Sequence, residues 1–182
     1  MNSLIFVTGN EKKCREAQAG FQLHGVSLSF QKITLDEIQH HTPAEIAKRK
    51  AHDAFLQLQR PLIVNDTAWN IPALNGFPGA YMKDIADWFT PDDFIALLAR
   101  HSDRRICVIE TVVYKDDVIE QVFQKEFWGE VAQTPRGSGL SIEQIAEFGG
   151  KTFGEYNDAG QLAFDPGEYI WNDVALWYKT RV

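Results

Sequence analysis

Leu62-Ile63-Val64-Asn65-Asp66-Thr67 is the stretch on which the reading of this chain turns, together with its continuation Ala73-Leu74-Asn75-Gly76-Phe77-Pro78-Gly79-Ala80-Tyr81-Met82-Lys83. It opens as a short apolar run, the pattern of a strand buried on both faces. It ends in an acid and a hydroxyl, and a Gly/Pro turn and a lysine follow. A carboxylate at the carboxyl end of a buried strand presents its oxygens at the rim of a sheet, where open α/β folds hold their ligands. An Asp that caps the next turn gives the same local pattern. The stretch alone leaves both readings open.

Working back toward the amino terminus, residues 4–7 read as a first buried strand. Thr8-Gly9-Asn10 breaks it, and residues 11–23 read as a helix with Ala17, Phe21 and Cys14 turned inward. Strand, Gly turn and helix leave free N–H groups that attract phosphate. Lys12 and Lys13 stand in that first turn, where the helix dipole disfavours cations unless an anion binds. The spacing is not that of a P-loop. Residues 26–33 read as a second strand, followed by Leu35-Asp36-Glu37-Ile38. Thr42-Pro43-Ala44-Glu45 has Pro at a first helical position, and the helix should run to about Gln59. Ile46, Ala47, Lys50, Ala51, Ala54, Phe55 and Leu58 share one face of it. Lys50 is the odd member of that stripe: it either snorkels or points into a cleft.

Forward of the central stretch, Gly76, Pro78 and Gly79 force a fixed turn. Residues 80–89 read as a helix, and Thr90-Pro91-Asp92-Asp93 caps another to about Arg100. Residues 106–114 and 118–128 read as a hairpin extended by 129–134. Residues 141–147 read as a short helix, and Lys151-Thr152-Phe153-Gly154-Glu155 as a turn. The tail from 169 carries Trp171 and Trp177 with a period that fits helix and strand equally. The elements make an α/β chain: a mixed twisted sheet with flanking helices in two lobes around a central cleft, read as a single domain over 1–182.

Length, charge and cysteines narrow the function. A chain of 182 residues buries enough core to need no staple. A net charge of -7 argues against general nucleic-acid binding. It does not exclude an anionic ligand, because charges beyond about 8 Å are largely screened. Cys14 and Cys107 form neither a disulfide framework nor a zinc site. His40 and His41 are adjacent, so they point apart as loop residues rather than as a metal pair. Leu4-Ile5-Phe6-Val7 is too short for a secretory h-region, and no run reaches membrane length. The expectation is a cytoplasmic protein without a membrane partner.

Several separated stretches then agree on one family. The chain resembles the inosine triphosphate pyrophosphatases, which hydrolyse altered purine nucleoside triphosphates. Thr8-Gly9-Asn10 with Lys13 and Glu16 is similar to the family's amino-terminal phosphate motif. Glu37 resembles its metal-binding Glu, Lys50 its helix lysine and Asp66-Thr67 its central acid–hydroxyl pair. Ala73-Leu74-Asn75-Gly76-Phe77-Pro78-Gly79 is the most specific match, with Lys83 at the family spacing. Pro135-Arg136-Gly137 and residues 151–155 resemble two later segments. The likeness runs through the whole chain and is strong to about residue 90.

The resemblance implies a Mg²⁺-dependent hydrolase that cuts a nucleoside triphosphate to the monophosphate and pyrophosphate. Asp66 would orient or deprotonate the attacking water. Glu37 and Asp66 would hold Mg²⁺, with Glu45 as a nearby substitute. Lys13, Lys50 and Lys83 would clamp phosphate oxygens as they gain charge. Thr8, Asn10, Thr67 and the Gly9 backbone would add hydrogen bonds, and the protein would be a homodimer.

Three departures qualify this. Asn65 stands where the family has an acid, which weakens the expected metal site. Leu140-Ser141-Ile142-Glu143-Gln144 replaces a base-holding Phe-Gly-Trp/Tyr-Asp-Pro-like segment. Phe164-Asp165-Pro166-Gly167 replaces a Ser-His-Arg that reads the purine's 6-oxo edge, and Gln161 takes the position of a family lysine. Loss of groups that pair with one base edge relaxes discrimination between bases. Two other readings keep the phosphate cradle or the fold without turnover: a non-catalytic nucleotide-binding protein and a dimeric scaffold.

Overall fold

The computed structural model describes residues 3–181. The chain divides into two compact units, Met1–Thr67 with Glu110–Lys125 and Phe164–Val182, and Ala68–Ile109 with Glu126–Ala163.

The first unit begins β1 (Leu4–Val7), α1 (Glu11–Gln22), β2 (Leu28–Gln31), α2 (Pro43–Leu58) and β3 (Leu62–Asn70). β1 lies between β2 and β3 and is parallel to both, with Leu4 opposite Leu28 and Ile5 opposite Leu62. Parallel neighbours need a crossover, and the helices supply it. β5 (Arg105–Lys115) and β6 (Glu120–Val131) continue the order β2-β1-β3-β5-β6. A turn through Asp116 joins them, its carboxylate accepting from the Val118 and Ile119 amides.

Strand alternation gives this sheet two different faces. On one, Ile5, Val7, Leu62, Val64 and Val113 meet the small side chains Ala47, Ala51 and Ala54 of α2. On the other, Phe6 packs on Trp171 with ring centroids 4.8 Å apart. Trp171 belongs to α6 (Ile170–Lys179), and α6 packs on α1. Each fully buried aliphatic side chain contributes about 1.5–3 kcal/mol. That exceeds per-residue helix propensity, so the burial pattern decides where the helices lie.

In the second unit, β3 pairs antiparallel with β4 (Pro78–Gly79), Trp69 opposite Gly79. The turn between them carries Asn75 and Gly76 at φ 55° and 90°, and Gly79 at 64°. β6 runs on to pair with β7 (Ala146–Phe148), which pairs with β8 (Lys151–Thr152). The helices are α3 (Met82–Ile85), α4 (Pro91–Leu97) and α5 (Phe153–Asp158). Trp69, Phe148 and Phe153 form one aromatic core cluster, with centroids 5.2–6.5 Å apart. Phe77, Phe89 and Phe94 form another.

The mixed α/β class is as read from the sequence, and five elements are corrected. Lys151-Thr152-Phe153-Gly154-Glu155 is not a turn but β8 followed by the start of α5. β3 does not stop at Thr67 but runs to Asn70. β2 is shorter than 26–33, beginning only at Leu28. The helix expected over 80–89 is the single turn of α3, because Ile85 to Trp88 closes in further short turns. Residues 141–147 are not helical: Ile142 and Ile145 are drawn into the core by a turn that leads directly into β7. The tail resolves to helix, its buried residues Ile170, Trp171, Val174, Ala175 and Tyr178 recurring at helical spacing.

The α1–α6 contact is tight at Gly20, where an added Cβ would lie 2.6 Å from the Trp171 Cβ and 2.9 Å from its carbonyl carbon. Gly20→Ala would gain about 1 kcal/mol of helix propensity but overpack by about 1–3 kcal/mol. The obstacle includes backbone, so the loss should win. Urea denaturation should show the variant with a lower midpoint than the parent.

Candidate active site

At the outer part of β3, alternation sends Asp66 toward the α2 face and Asn65 and Thr67 toward the α1/α6 face. Each direction ends in a polar cluster within the first unit.

On the α2 face the alanine stripe brings Lys50 against the sheet. Its Nζ lies 2.8 Å from Asp66 Oδ1 and 2.9 Å from Glu37 Oε1. The side chains of Lys50 and Asp66 are only 15% and 13% exposed. Burial works against the Lys50 charge, but Asp66 and then Glu37 outweigh it and hold the ammonium above the usual lysine range. Lys50 therefore neither snorkels nor stands alone: it is the shared partner of two carboxylates. Glu37 comes from the irregular segment after β2 and is more exposed, at 39%. Glu45 is engaged elsewhere, with Lys48 at 2.9 Å.

On the other face, Glu110 of β5 is 5% exposed. Asn65 Nδ2 donates to its Oε2 at 2.8 Å, and the Thr67 hydroxyl donates at 3.1 and 3.2 Å to its two oxygens. The Tyr169 hydroxyl sits between Glu110 and Glu16 of α1, hydrogen-bonded to both. Glu16 is also 5% exposed. Tyr169 has one hydrogen for two carboxyl groups, and Glu110 already accepts from two other donors. The proton that completes the chain belongs on Glu16, whose carboxyl is pushed up to about 7. Desolvation is the main cause, Glu110 adds to it, and Lys12, Lys13 and Tyr169 pull the other way. Among the described residues, Asn65 Oδ1 is buried without a hydrogen-bond partner.

The loop before α1 closes on itself. Asn10 Oδ1 accepts from the Lys12 and Lys13 amides at 2.9 and 3.3 Å, capping the helix. Thr8 Oγ1 accepts from the Asn10 amide at 3.1 Å, leaving its own hydrogen to donate elsewhere. Lys12 and Lys13 in the first turn pull the Glu16 carboxyl down against its burial. Gly9 lies beneath the Lys32 side chain, whose Cδ would be 3.0 Å from a Cβ there.

Glu37, Lys50 and Asp66 are thus brought together, and Thr67 joins a separate cluster behind them. Thr8, Gly9, Asn10 and Lys13 form the loop and first turn of α1. Lys83 is an exposed residue of α3 in the second unit. The two histidines stack on each other, with centroids 4.6 Å apart. Burial pushes the Cys107 thiol up to about 12, far from a nucleophile's range. Among the described residues no three or more His, Cys, Asp or Glu side chains gather as a metal cluster. Sequence reasoning missed Glu110, Lys32 and Tyr169. For Glu110 a signal existed: one acid within the apolar run 106–114.

The profile of the Ham1 family matches residues 4–161. "Inosine triphosphate pyrophosphatase 2" of Trypanosoma cruzi is 34% identical over 172 residues, covering 91% of this chain and 86% of that protein. A "dITP/XTP pyrophosphatase" of Methanosarcina acetivorans is 30% identical over 183 residues, covering both chains fully. Among solved structures, a HAM1 protein from Coxiella burnetii superposes with a TM-score of 0.80 at 21% identity. It covers 99% of this chain and 100% of that one, and shows the shared fold.

The buried Glu16 predicts a pH dependence of stability. Its folded-state pKa lies above the ordinary 4.5, so the native state binds the proton more tightly than the unfolded chain. Its contribution is fully present below pH 4.5 and is lost as pH rises through about 7. Gln at this position keeps the donor to Tyr169 without a charge. Glu16→Gln should gain about 3 kcal/mol over the parent between pH 5 and pH 8. Urea titrations across that range check it; a difference independent of pH would count against the assignment.

Proposed function

Because the chain belongs to the Ham1 family, we propose that it hydrolyses a nucleoside triphosphate to the monophosphate and pyrophosphate. The observation that carries this reading is the convergence of Glu37 and Asp66 on the largely buried ammonium of Lys50.

Two carboxylates whose oxygens reach within 3 Å of one cation suit a hard divalent ion that keeps much of its water shell. Glu37 and Asp66 would hold Mg²⁺. When bound, the ion would neutralise phosphate charge and acidify water. The chain's own part follows from its geometry. Lys50, released from one carboxylate, has donors for a phosphate oxygen. Thr8 keeps a hydroxyl hydrogen for the same purpose, and Lys13 supplies further positive charge. Asp66, the less exposed of the two carboxylates, aims the water at the phosphorus.

Base choice is relaxed in this reading. The segment expected to read the base edge instead turns on itself, Asp165 Oδ1 accepting from the Gly167 amide at 2.7 Å. The names of the relatives point to ITP, dITP or XTP as first substrates to try. A single domain, a homodimeric state and a cytoplasmic location belong to the same proposal. Among the described residues no helix is long and apolar enough to cross a membrane.

The test is pyrophosphate release from a panel of ITP, dITP, XTP, GTP and ATP, with and without Mg²⁺. Release should require the ion and extend to more than one base. Asp66→Asn should lower kcat by at least about 100-fold while nucleotide still binds. Binding of the panel without release from any member would instead make the chain a nucleotide-binding protein.

A further inference from the structure

Gly9 has no conformational need to be glycine: unlike Gly76 or Gly79, it does not adopt a positive φ. What position 9 lacks is room. A Cβ there would lie 3.0 Å from Cδ of Lys32 and 3.2 Å from both its Cγ and its Cε. Three consecutive methylenes of Lys32 are thus laid across the bare backbone of the loop before α1. Register brings them there. Val7 stands opposite Gln31, and the Thr8 amide donates to the Gln31 carbonyl at 3.0 Å, so the residue after β2 emerges beside the residues after β1.

An exposed lysine ordinarily keeps its stem in solvent, because fixing it costs rotamer freedom. A stem that snorkels covers apolar side chains, whereas this one covers a polar loop, Thr8-Gly9-Asn10. Among the described residues no carboxylate or hydrogen-bond acceptor holds the Lys32 ammonium. It lies one bond beyond Cε, hence within about 5 Å of the Gly9 Cβ position. Backbone donors are left at the same loop. The Lys12 and Lys13 amides are spent on Asn10 and the Asn10 amide on Thr8, while those of Gly9 and Glu11 have no partner among the described residues. β1 lies between β2 and β3 and runs parallel to both, so the three carboxyl ends share one edge of the sheet. Glu37 follows Lys32 in the same irregular segment.

We infer that Lys32 is a further substrate-binding residue, its stem seated on Gly9 so that its ammonium meets a phosphate oxygen held at the Thr8-Gly9-Asn10 loop. A helix start with amides to spare and a cation beside it suits a phosphate group. Glycine at position 9 then serves the lysine, by letting its stem come down onto the loop.

The inference rests on the phosphate half of the hydrolytic reading above, and the experiment separates the two. Lys32→Met keeps a stem without the charge, Lys32→Arg keeps the charge, and Lys32→Ala removes both. Lys179→Met removes an exposed charge at the end of α6 as a control. Pyrophosphate release from the best nucleotide of the panel is followed with Mg²⁺, together with thermal melts and equilibrium binding of inorganic tripolyphosphate. Lys32→Met and Lys32→Ala should raise KM about tenfold with kcat within about threefold, the pattern of binding lost equally in ground and transition states. Tripolyphosphate affinity should fall by the same factor. Lys32→Arg and Lys179→Met should stay close to the parent in both measurements.

Parental KM and parental tripolyphosphate affinity in Lys32→Met would overturn the inference, and a lower melting temperature in Lys32→Ala alone would then mean that the stem only covers the loop. An equal loss in Lys179→Met would also overturn it, by tracing the effect to net charge. Should no nucleotide release pyrophosphate while tripolyphosphate still binds through Lys32, hydrolysis fails and the inference stands. A parent that neither releases pyrophosphate nor binds tripolyphosphate ends both.

Discussion

One buried ammonium between two carboxylates organises this site. A lysine can sit against the sheet only if its charge is answered, because an unpaired buried charge is far too costly. Asp66 and Glu37 answer it at 2.8 and 2.9 Å. The requirement works backward into the fold. It needs the small alanine face of α2 to bring the helix close. It needs β3 to carry an acid where its apolar run ends, and it ties the irregular segment after β2 to the helix through Glu37.

The same strand serves two clusters because its side chains alternate. A sequence reader sees Asn65-Asp66-Thr67 as one unit, but the fold divides it. Asp66 joins lysine chemistry on one face, and its neighbours join Glu110, Tyr169 and Glu16 on the other. The second cluster settles its charge by sharing hydrogens and by holding a proton on Glu16, against the pull of Lys12 and Lys13. Asn65, read from the sequence as a missing acid, is thus paired with an acid supplied by the next strand.

How much of this was legible in the sequence follows from the range of the interactions. β1, α1, α2 and the β5–β6 hairpin are marked locally, by Asn10 as a cap, Pro43 at a helix start and Asp116 in a turn. Lys50 was conspicuous because it broke an apolar stripe, although its two partners were not derivable from that stripe. The Glu110 network joins residues 43 and 45 positions apart, and no local pattern announces such a pairing. At 141–147 the short helix read from the sequence lost to tertiary demands. Gly139 adopts φ 123°, Glu143 folds back to accept from the Leu140 amide, and the chain is committed to β7. The tail was ambiguous only until its partner was known: with α1 beside it, the period of Trp171, Val174, Ala175 and Tyr178 can only be helical.

The ion pair at Lys50 also means that the free protein carries an internal counter-ion. A metal bound as proposed would meet carboxylates that are already neutralised, so its affinity would reflect an exchange of cations rather than the full attraction of two bare acids. A polyanion arriving at the same time would give the displaced ammonium a new partner. Occupancy by metal and by polyanion would then be thermodynamically linked, each favouring the other by the same factor.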